Sequence, residues 1–361
     1  MATIAATLTQ KLRSSYRGRL DANENRPSEY GALDLFNKQS RGLDSILDPE
    51  LKKNIENSFG NVVQAPVIDF EAITIGNVRT CEVQVGGAGS KMITLTFFTL
   101  SFGFPMVPSR FLNNDLTYEN LFIRQLNNRI NAALSVLDSK CVDFLELNKN
   151  QYFPAPMLQY YPEIADAFQV PADPPVNGLA QHRRWYNRIE AILDTMDFTG
   201  TPDILTNPLG MAEVRELRSQ GTFNAENQAW LIDGLGMFYK SNRVLNNAGV
   251  EVTEYAVLPG AVAMDGRLDP DCRQGRLIGS PENPSKEWTR ATLPRIGEMG
   301  LYYRADCADE SAREVAENNF GLTRAYVESF EWSKDFCIFG NYNSDLAGRY
   351  QPITKAELLP A

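Results

Sequence analysis

The chain has a single histidine, His182, among its 361 residues, so any Ser-His-Asp or Cys-His catalytic set must be built on that one side chain. It stands in Gln181-His182-Arg183-Arg184, which reads as a surface turn of a helix; the adjacent cations disfavour an imidazolium, and no carboxylate orienter is close in sequence. Paired cysteines are missing as well. Cys81, Cys141, Cys272, Cys307 and Cys337 are far apart, an odd set without a CxxC pair, which argues against a disulfide framework or a zinc site and reads as reduced thiols in a cytosolic setting. Long apolar runs are absent: the most apolar stretch, Met92 to Pro108, is broken by Thr, Ser, Gly and Pro, so no membrane span is expected. Thr3, Thr7, Thr9 and Gln10 likewise interrupt any signal-peptide core. Cations are in deficit, 35 against 45 acids for a net charge of −10, which argues against a dedicated nucleic-acid binder with its strong basic field. GxGxxG, GxSxG and HExxH do not occur. The run Gly86-Gly87-Ala88-Gly89-Ser90-Lys91 lacks the Gly-Lys-Ser/Thr order of a phosphate loop, and Asp265, Asp269 and Asp271 lack the closing Glu of a calcium loop. That acidic stretch reads as a solvated loop, and no catalytic, cofactor-binding or metal-ligating residue is assigned.

What is present is a β-hairpin pattern running into a long amphipathic helix. Cys81, Val83 and Val85 alternate with Thr80, Glu82 and Gln84; Ile93, Leu95 and Phe97 alternate with Thr94 and Thr96. A period of two places each set on its own face. The glycines between the arms tolerate positive φ and suit a turn. A two-stranded ribbon is marginal alone in water, so its open edges and apolar face require another surface. That surface is either its own core or an adjacent subunit. Downstream, with Asn114 or Asp115 as the cap, Phe122, Leu126, Ile130, Leu134, Leu137, Cys141 and Phe144 recur at steps of three and four residues and form one apolar stripe. From Leu116 to Leu147 this helix spans about 48 Å. A projecting ribbon on a long spine is how a subunit reaches over its neighbour, the geometry of a shell-building protein.

The rest of the chain is read more coarsely. Residues 1 to 60 form a polar arm with a short helix over Asp48 to Glu56; its first twenty residues carry Lys11, Arg13, Arg17 and Arg19 and no acid, a basic segment suited to DNA or to an acidic patch on a neighbour. Pro154, Pro156, Pro162, Pro171, Pro174 and Pro175 mark a boundary between two lobes. Beyond it, Trp185, Ile189, Ile192, Leu193 and Met196 make one helix face, and further helices fit Met211 to Arg218 and Ala225 to Tyr239. Strands fit Val250 to Val257, Gly300 to Tyr303 and Ala325 to Phe339, with an exposed loop over residues 264 to 290. The mixture is α+β.

Several stretches together resemble one family. They are Pro66-Val67-Ile68-Asp69-Phe70-Glu71-Ala72-Ile73-Thr74-Ile75-Gly76, Leu147-Asn148-Lys149-Asn150-Gln151-Tyr152, Asn341-Tyr342-Asn343-Ser344-Asp345 and Pro352-Ile353-Thr354-Lys355. In this order they are similar to the Hong Kong 97-type major capsid proteins of tailed double-stranded DNA phages, nearest to those of phages infecting Bacteroidetes, the crAss-like group among them. The resemblance implies an N-terminal arm over 1–60, an extended loop over 61–108, a peripheral domain with the spine helix over 109–174, an axial domain over 175–320, and C-terminal strands over 321–361 that return to the peripheral domain. It implies self-assembly into hexamers and pentamers of an icosahedral head, formed in the host cytoplasm and ending in the virion. It also implies separate scaffold, portal and decoration proteins as partners, and non-specific contact with packaged DNA. The space before the hairpin is too short for the scaffolding domain some relatives carry, so a separate scaffold protein or none is expected. Some relatives form Lys–Asn crosslinks between subunits; Lys91 at the hairpin tip is a candidate donor, but no residue here demonstrates that chemistry and the crosslink is not expected. The candidate assembly residues are Val83, Gly86, Gly87, Lys91, Leu95 and Phe97 on the hairpin, with Arg13, Arg17 and Arg19 on the arm. Val83, Leu95 and Phe97 are expected to be covered by the next subunit. Two other readings stay open: an encapsulin-like nanocompartment shell, and a cytosolic α+β enzyme.

Overall fold

A computed structural model describes residues 29–41, 46–47, 49–58, 60–68, 90–108, 115–173, 182–196, 198, 200–216, 221–224, 229–232, 236–268, 286–309, 324–340 and 350–360. In chain order the elements are α1 (Gly31–Gln39), α2 (Pro49–Glu56), β1 (Val62–Ile68), β2 (Ser90–Met106), α3 (Asp115–Leu147), α4 (Ala155–Leu158), β3 (Phe168–Val170), α5 (Arg183–Tyr186), α6 (Ile189–Asp194), β4 (Asp203–Thr206), α7 (Pro208–Glu216), β5 (Gly221–Asn224), β6 (Ala229–Ile232), β7 (Gly236–Lys240), β8 (Val252–Val257), β9 (Val262–Arg267), β10 (Lys286–Leu293), β11 (Gly297–Asp309), β12 (Arg324–Gly340) and β13 (Ile353–Leu358).

The strands make two sheets. A six-stranded sheet runs β1-β2-β12-β11-β10, with β9 joining β12 beyond the end of β11; a seven-stranded sheet runs β3-β13-β8-β4-β7-β6-β5. β12 is the axis of the first. Its residues Glu328 to Cys337 pair with Met106 to Phe97 of β2, while its other edge pairs first with β11 and then, from Asp335 to Gly340, with β9.

The spine helix α3 is 33 residues long, about 50 Å. Phe122, Leu126, Ile130, Leu134, Leu137 and Cys141 are fully buried, so the stripe read from spacing is the buried face. It rests on an aromatic cluster of the six-stranded sheet: the Phe122 ring lies 5.3 Å from Phe104 and 5.0 Å from Phe330, and Phe102 stacks on Trp332 at 5.8 Å.

Several expectations are corrected. The 1–60 segment is not wholly an arm: Ala32, Leu33, Leu35 and Phe36 of α1 are buried in the main core. A Cβ at Gly31 would run into the Lys240 carbonyl, so glycine permits this close approach. At its far end α1 covers the open edge of β9, where Gln39 Oε1 and Ser40 Oγ accept the Val262 and Met264 N–H groups at 3.2 and 2.7 Å. The described residues of the span Ala225 to Tyr239 are not helical but form the antiparallel pair β6–β7; the β-prone Trp230-Leu231-Ile232 and Met237-Phe238-Tyr239 flank Gly236, whose φ is +84°. Residues 264–290 are not all loop, because β9 and β10 occupy both ends of that stretch.

The division into domains by chain position also changes. β9, β10 and β11, expected in the axial part, belong to the spine helix's sheet. Of the terminal strands only β12 returns there; β13 pairs with β8 and β3 in the other sheet. One continuous apolar core reaches from α1 and α3 through both sheets, so the two lobes share a core. The face expected from Trp185 to Met196 is buried as expected, but it is divided between α5 and α6.

Candidate assembly site at the base of the ribbon

β2 changes partners along its length. From Phe97 onward it pairs with β12; from Thr96 back to Ser90 it pairs with β1, Val62 to Ile68. Among the described residues, neither the outer edge of β1 nor the other edge of Ser90–Thr96 has a strand partner. This is a two-stranded ribbon leaving a sheet, with two rows of backbone donors and acceptors open to strand addition.

The two faces of the ribbon differ. Val62, Gln64, Pro66, Met92, Thr94 and Thr96 are exposed on one side, Val62 by 58% and Met92 by 53%. Ala65, Ile93, Leu95 and Phe97 face the other way and are buried, Leu95 with 0% exposure and Phe97 with 8%. They close a second, smaller core with Leu47, Ile55, Ala263, Cys337 and Phe339. The alternation read from sequence has the right parity, but Leu95 and Phe97 are covered by their own subunit instead of by a neighbour. Physically, α2, β9 and β12 supply the missing apolar surface, and none of the three is adjacent in sequence to β2. Lys91 pairs through its backbone with Val67, and its side chain lies outside the described residues. Val83, Gly86, Gly87, Arg13, Arg17 and Arg19 lie outside the described residues, as do Cys81, Val85, Asp269 and Asp271.

At the fork sits a residue that spacing did not single out. Arg267, at the end of β9, has a side chain 1% exposed. Its Nε donates to Asp335 Oδ2 at 3.2 Å, its Nη1 donates to Ser58 O at 3.1 Å and Ser58 Oγ at 2.7 Å, and its guanidinium carbon lies 3.9 Å from the centre of the Phe97 ring. Asp335 Oδ1 accepts from Thr99 Oγ1 at 2.7 Å. The signal available in the sequence was the apolar run Ala261 to Met264 just ahead of Arg267, which has strand character. Next to this network a cleft of about 280 Å³ is lined by Arg41, Lys52, Asp265, Arg295 and Lys334 among others. Asp265 is therefore not on a solvated loop: burial, only partly offset by the Gly266 N–H, raises its pKa, and burial lowers that of Lys334.

His182 is corrected as well. It is 2% exposed, not on a surface turn, and a carboxylate is at hand: its Nδ1 faces Glu213 Oε1 at 3.1 Å and its Nε2 faces the Leu359 carbonyl at 3.0 Å. Burial pulls its pKa down, but the Glu213 hydrogen bond and charge together with Leu359 O outweigh that, and the net shift is upward. Nearby, burial lifts Glu254 to about 7 although Tyr186 Oη donates to it at 2.8 Å. Among the described residues no group of His, Cys, Asp and Glu is placed to hold a metal ion, and no helix is long and apolar enough to cross a membrane.

No family model and no curated protein matches the chain. Among solved structures it is similar to one of Mycobacterium phage Che8, at 10% identity and a TM-score of 0.46 over 86% of this chain and 89% of that one. It is also similar to the capsid of Ralstonia phage GP4, at 10% identity and a TM-score of 0.44 over 93% and 92% of the two chains. A third likeness is to the capsid of an empty GTA particle, at 10% identity and a TM-score of 0.39 over 89% and 92%.

Proposed function

We propose that this chain is a major capsid protein of the Hong Kong 97 type, building the icosahedral head of a tailed double-stranded DNA phage. The observation that carries the reading is the ribbon: from Thr96 back to Ser90 β2 pairs, among the described residues, with β1 alone, leaving both outer edges without a strand partner and a face bearing Val62, Pro66 and Met92 exposed, and it is rooted beside a spine about 50 Å long. The motif stretches 66–76, 147–152, 341–345 and 352–355, in their order, support the family and its crAss-like branch.

On this reading the six-stranded sheet with α3 is the peripheral domain, and the seven-stranded sheet with α5, α6 and α7 is the axial domain. Identical subunits meet through heterologous contacts that close into rings of five or six. The contact face of the ribbon is Val62, Pro66 and Met92, and Val83, Gly86, Gly87 and Lys91 belong to the same proposed interface; Leu95 and Phe97 support that face from beneath. The basic stretch with Arg13, Arg17 and Arg19 contacts packaged DNA or an acidic neighbour. Portal and decoration proteins, with a separate scaffold protein or none, complete the assembly, which takes place in the host cytoplasm. The role is structural, without catalysis.

The test is sedimentation of the purified chain followed by negative-stain imaging. Closed shells are expected; a homogeneous small oligomer under all assembly conditions sinks the reading.

A further inference from the structure

Arg267 joins four pieces of chain that meet where the ribbon begins. It projects from β9; Asp335 belongs to the central strand β12; Ser58 belongs to the segment that enters β1; and Phe97 is the last residue of β2 still paired with β12. Both edges of the guanidinium and one of its faces are therefore occupied. Sheet stability alone does not call for this arrangement, because apolar side chains of similar size replace buried ion pairs with little loss. A planar fork adds fixed angles between its partners, together with a flat surface on which an aromatic ring can rest.

We propose that Arg267 is a positioning residue that sets the angle at which the β1–β2 ribbon leaves the sheet, by holding Ser58 and Phe97 against Asp335. Its consequence for shell geometry rests on the capsid reading, whereas the pin itself does not.

Two buried thiols separate a local from a global effect. Cys337 lies under the ribbon with Leu95 and Phe97, and Cys141 lies on the buried face of the spine helix. Burial holds the Cys337 thiol up at about 12 and Cys141 well above its ordinary value, so both react slowly while covered. The experiment follows iodoacetamide labelling of the full-length chain by peptide mass spectrometry, in wild type, Arg267→Lys and Ser58→Ala. Lysine keeps the charge but cannot serve both partners and the ring. In Arg267→Lys, Cys337 should label about tenfold faster or more, with Cys141 unchanged, because hydrogen bonds to a charged group are lost. Ser58→Ala removes one acceptor and should give a smaller change in the same sense; it decides the matter if the lysine variant does not fold. Equal acceleration at both cysteines means that Arg267 merely stabilises the fold, and an unchanged Cys337 in both variants means that it pins nothing; either result overturns the proposal. Imaging of the same samples reads the consequence: uniform shells from wild type and mixed diameters from Arg267→Lys. Absence of wild-type shells counts against the capsid reading and leaves the thiol result to decide the pin.

Discussion

Asp138 shows how much a single side chain carries here. It is fully buried on α3, accepts the Leu33 N–H at 3.0 Å near the start of α1, and accepts a hydrogen bond from Ser241 Oγ. It thereby caps a helix that lies more than a hundred residues away in sequence, completing orphan N–H groups that local sequence leaves open. Burial pushes its pKa to about 6 against the pull of those two hydrogen bonds. The folded chain thus binds this proton more tightly than the unfolded chain does. The associated stability is fully present below the ordinary carboxylate value and is lost as pH rises through about 6. The loss is on the order of 3 kcal/mol, from about 1.4 kcal/mol per unit. Asp138→Asn keeps the acceptor for Leu33 and cannot ionise. It should therefore melt at or above the wild-type temperature at neutral pH, with a flatter dependence between about pH 4 and 6, as read by calorimetry. A uniform loss at every pH in that range counts against the assignment. None of this was legible locally: Asp138 reads as an off-stripe helix acid, and burial came from α1 folding back over it.

At the scale of elements, periodicity located what it should and left the covering surface open. The spine needed only its own spacing, because a helix with one apolar stripe has one face to bury. The ribbon also gave its two faces by alternation, yet alternation carries no information on which surface covers the apolar one. Phe97→Asp, natural as a test of a subunit interface, should instead unfold the subunit or lower its stability by at least the ~3–5 kcal/mol of a Phe truncation, since it puts an acid into the small core. Met92→Asp, on the open face, should leave the melting temperature within a few degrees of wild type and prevent shell formation. Thermal melts together with electron microscopy distinguish the two, and normal shells from Met92→Asp exclude that face as a contact. The β6–β7 segment differs from its expected helix because Trp, Leu, Ile, Met, Phe and Tyr suit either state. Gly236 at positive φ fits a turn and not a helix interior.

The whole molecule is tied together by contacts between distant parts of the chain. The end of the spine joins the seven-stranded sheet through Glu146, which meets Lys355 of β13 at 3.2 Å and Lys149 at 2.7 Å. α1 joins the same sheet through the Lys38–Asp203 pair at 2.7 Å, and His182 holds the Leu359 carbonyl. Three buried groups titrate in one sense: Asp138 raised to about 6, Glu254 raised to about 7 and His182 raised above its ordinary value. Each contributes stability that is present at lower pH and lost as pH rises through its folded-state value. The melting temperature should therefore be highest near about pH 5 and fall towards about pH 8, and Glu254→Gln should flatten the upper part of that fall. A melting temperature that rises across this range is incompatible with the three buried groups as placed. By itself the sequence determined the α+β class, the spine, its buried stripe and the parity of the ribbon, because these follow from periods set by backbone geometry. Tertiary structure alone decided that α1 is core, that β12 and β13 go to different sheets, that His182 is buried against Glu213, and that Arg267 sits under the ribbon. Each of those depends on which remote surface arrives to satisfy an apolar face or a polar atom, and spacing along one chain does not encode that arrival.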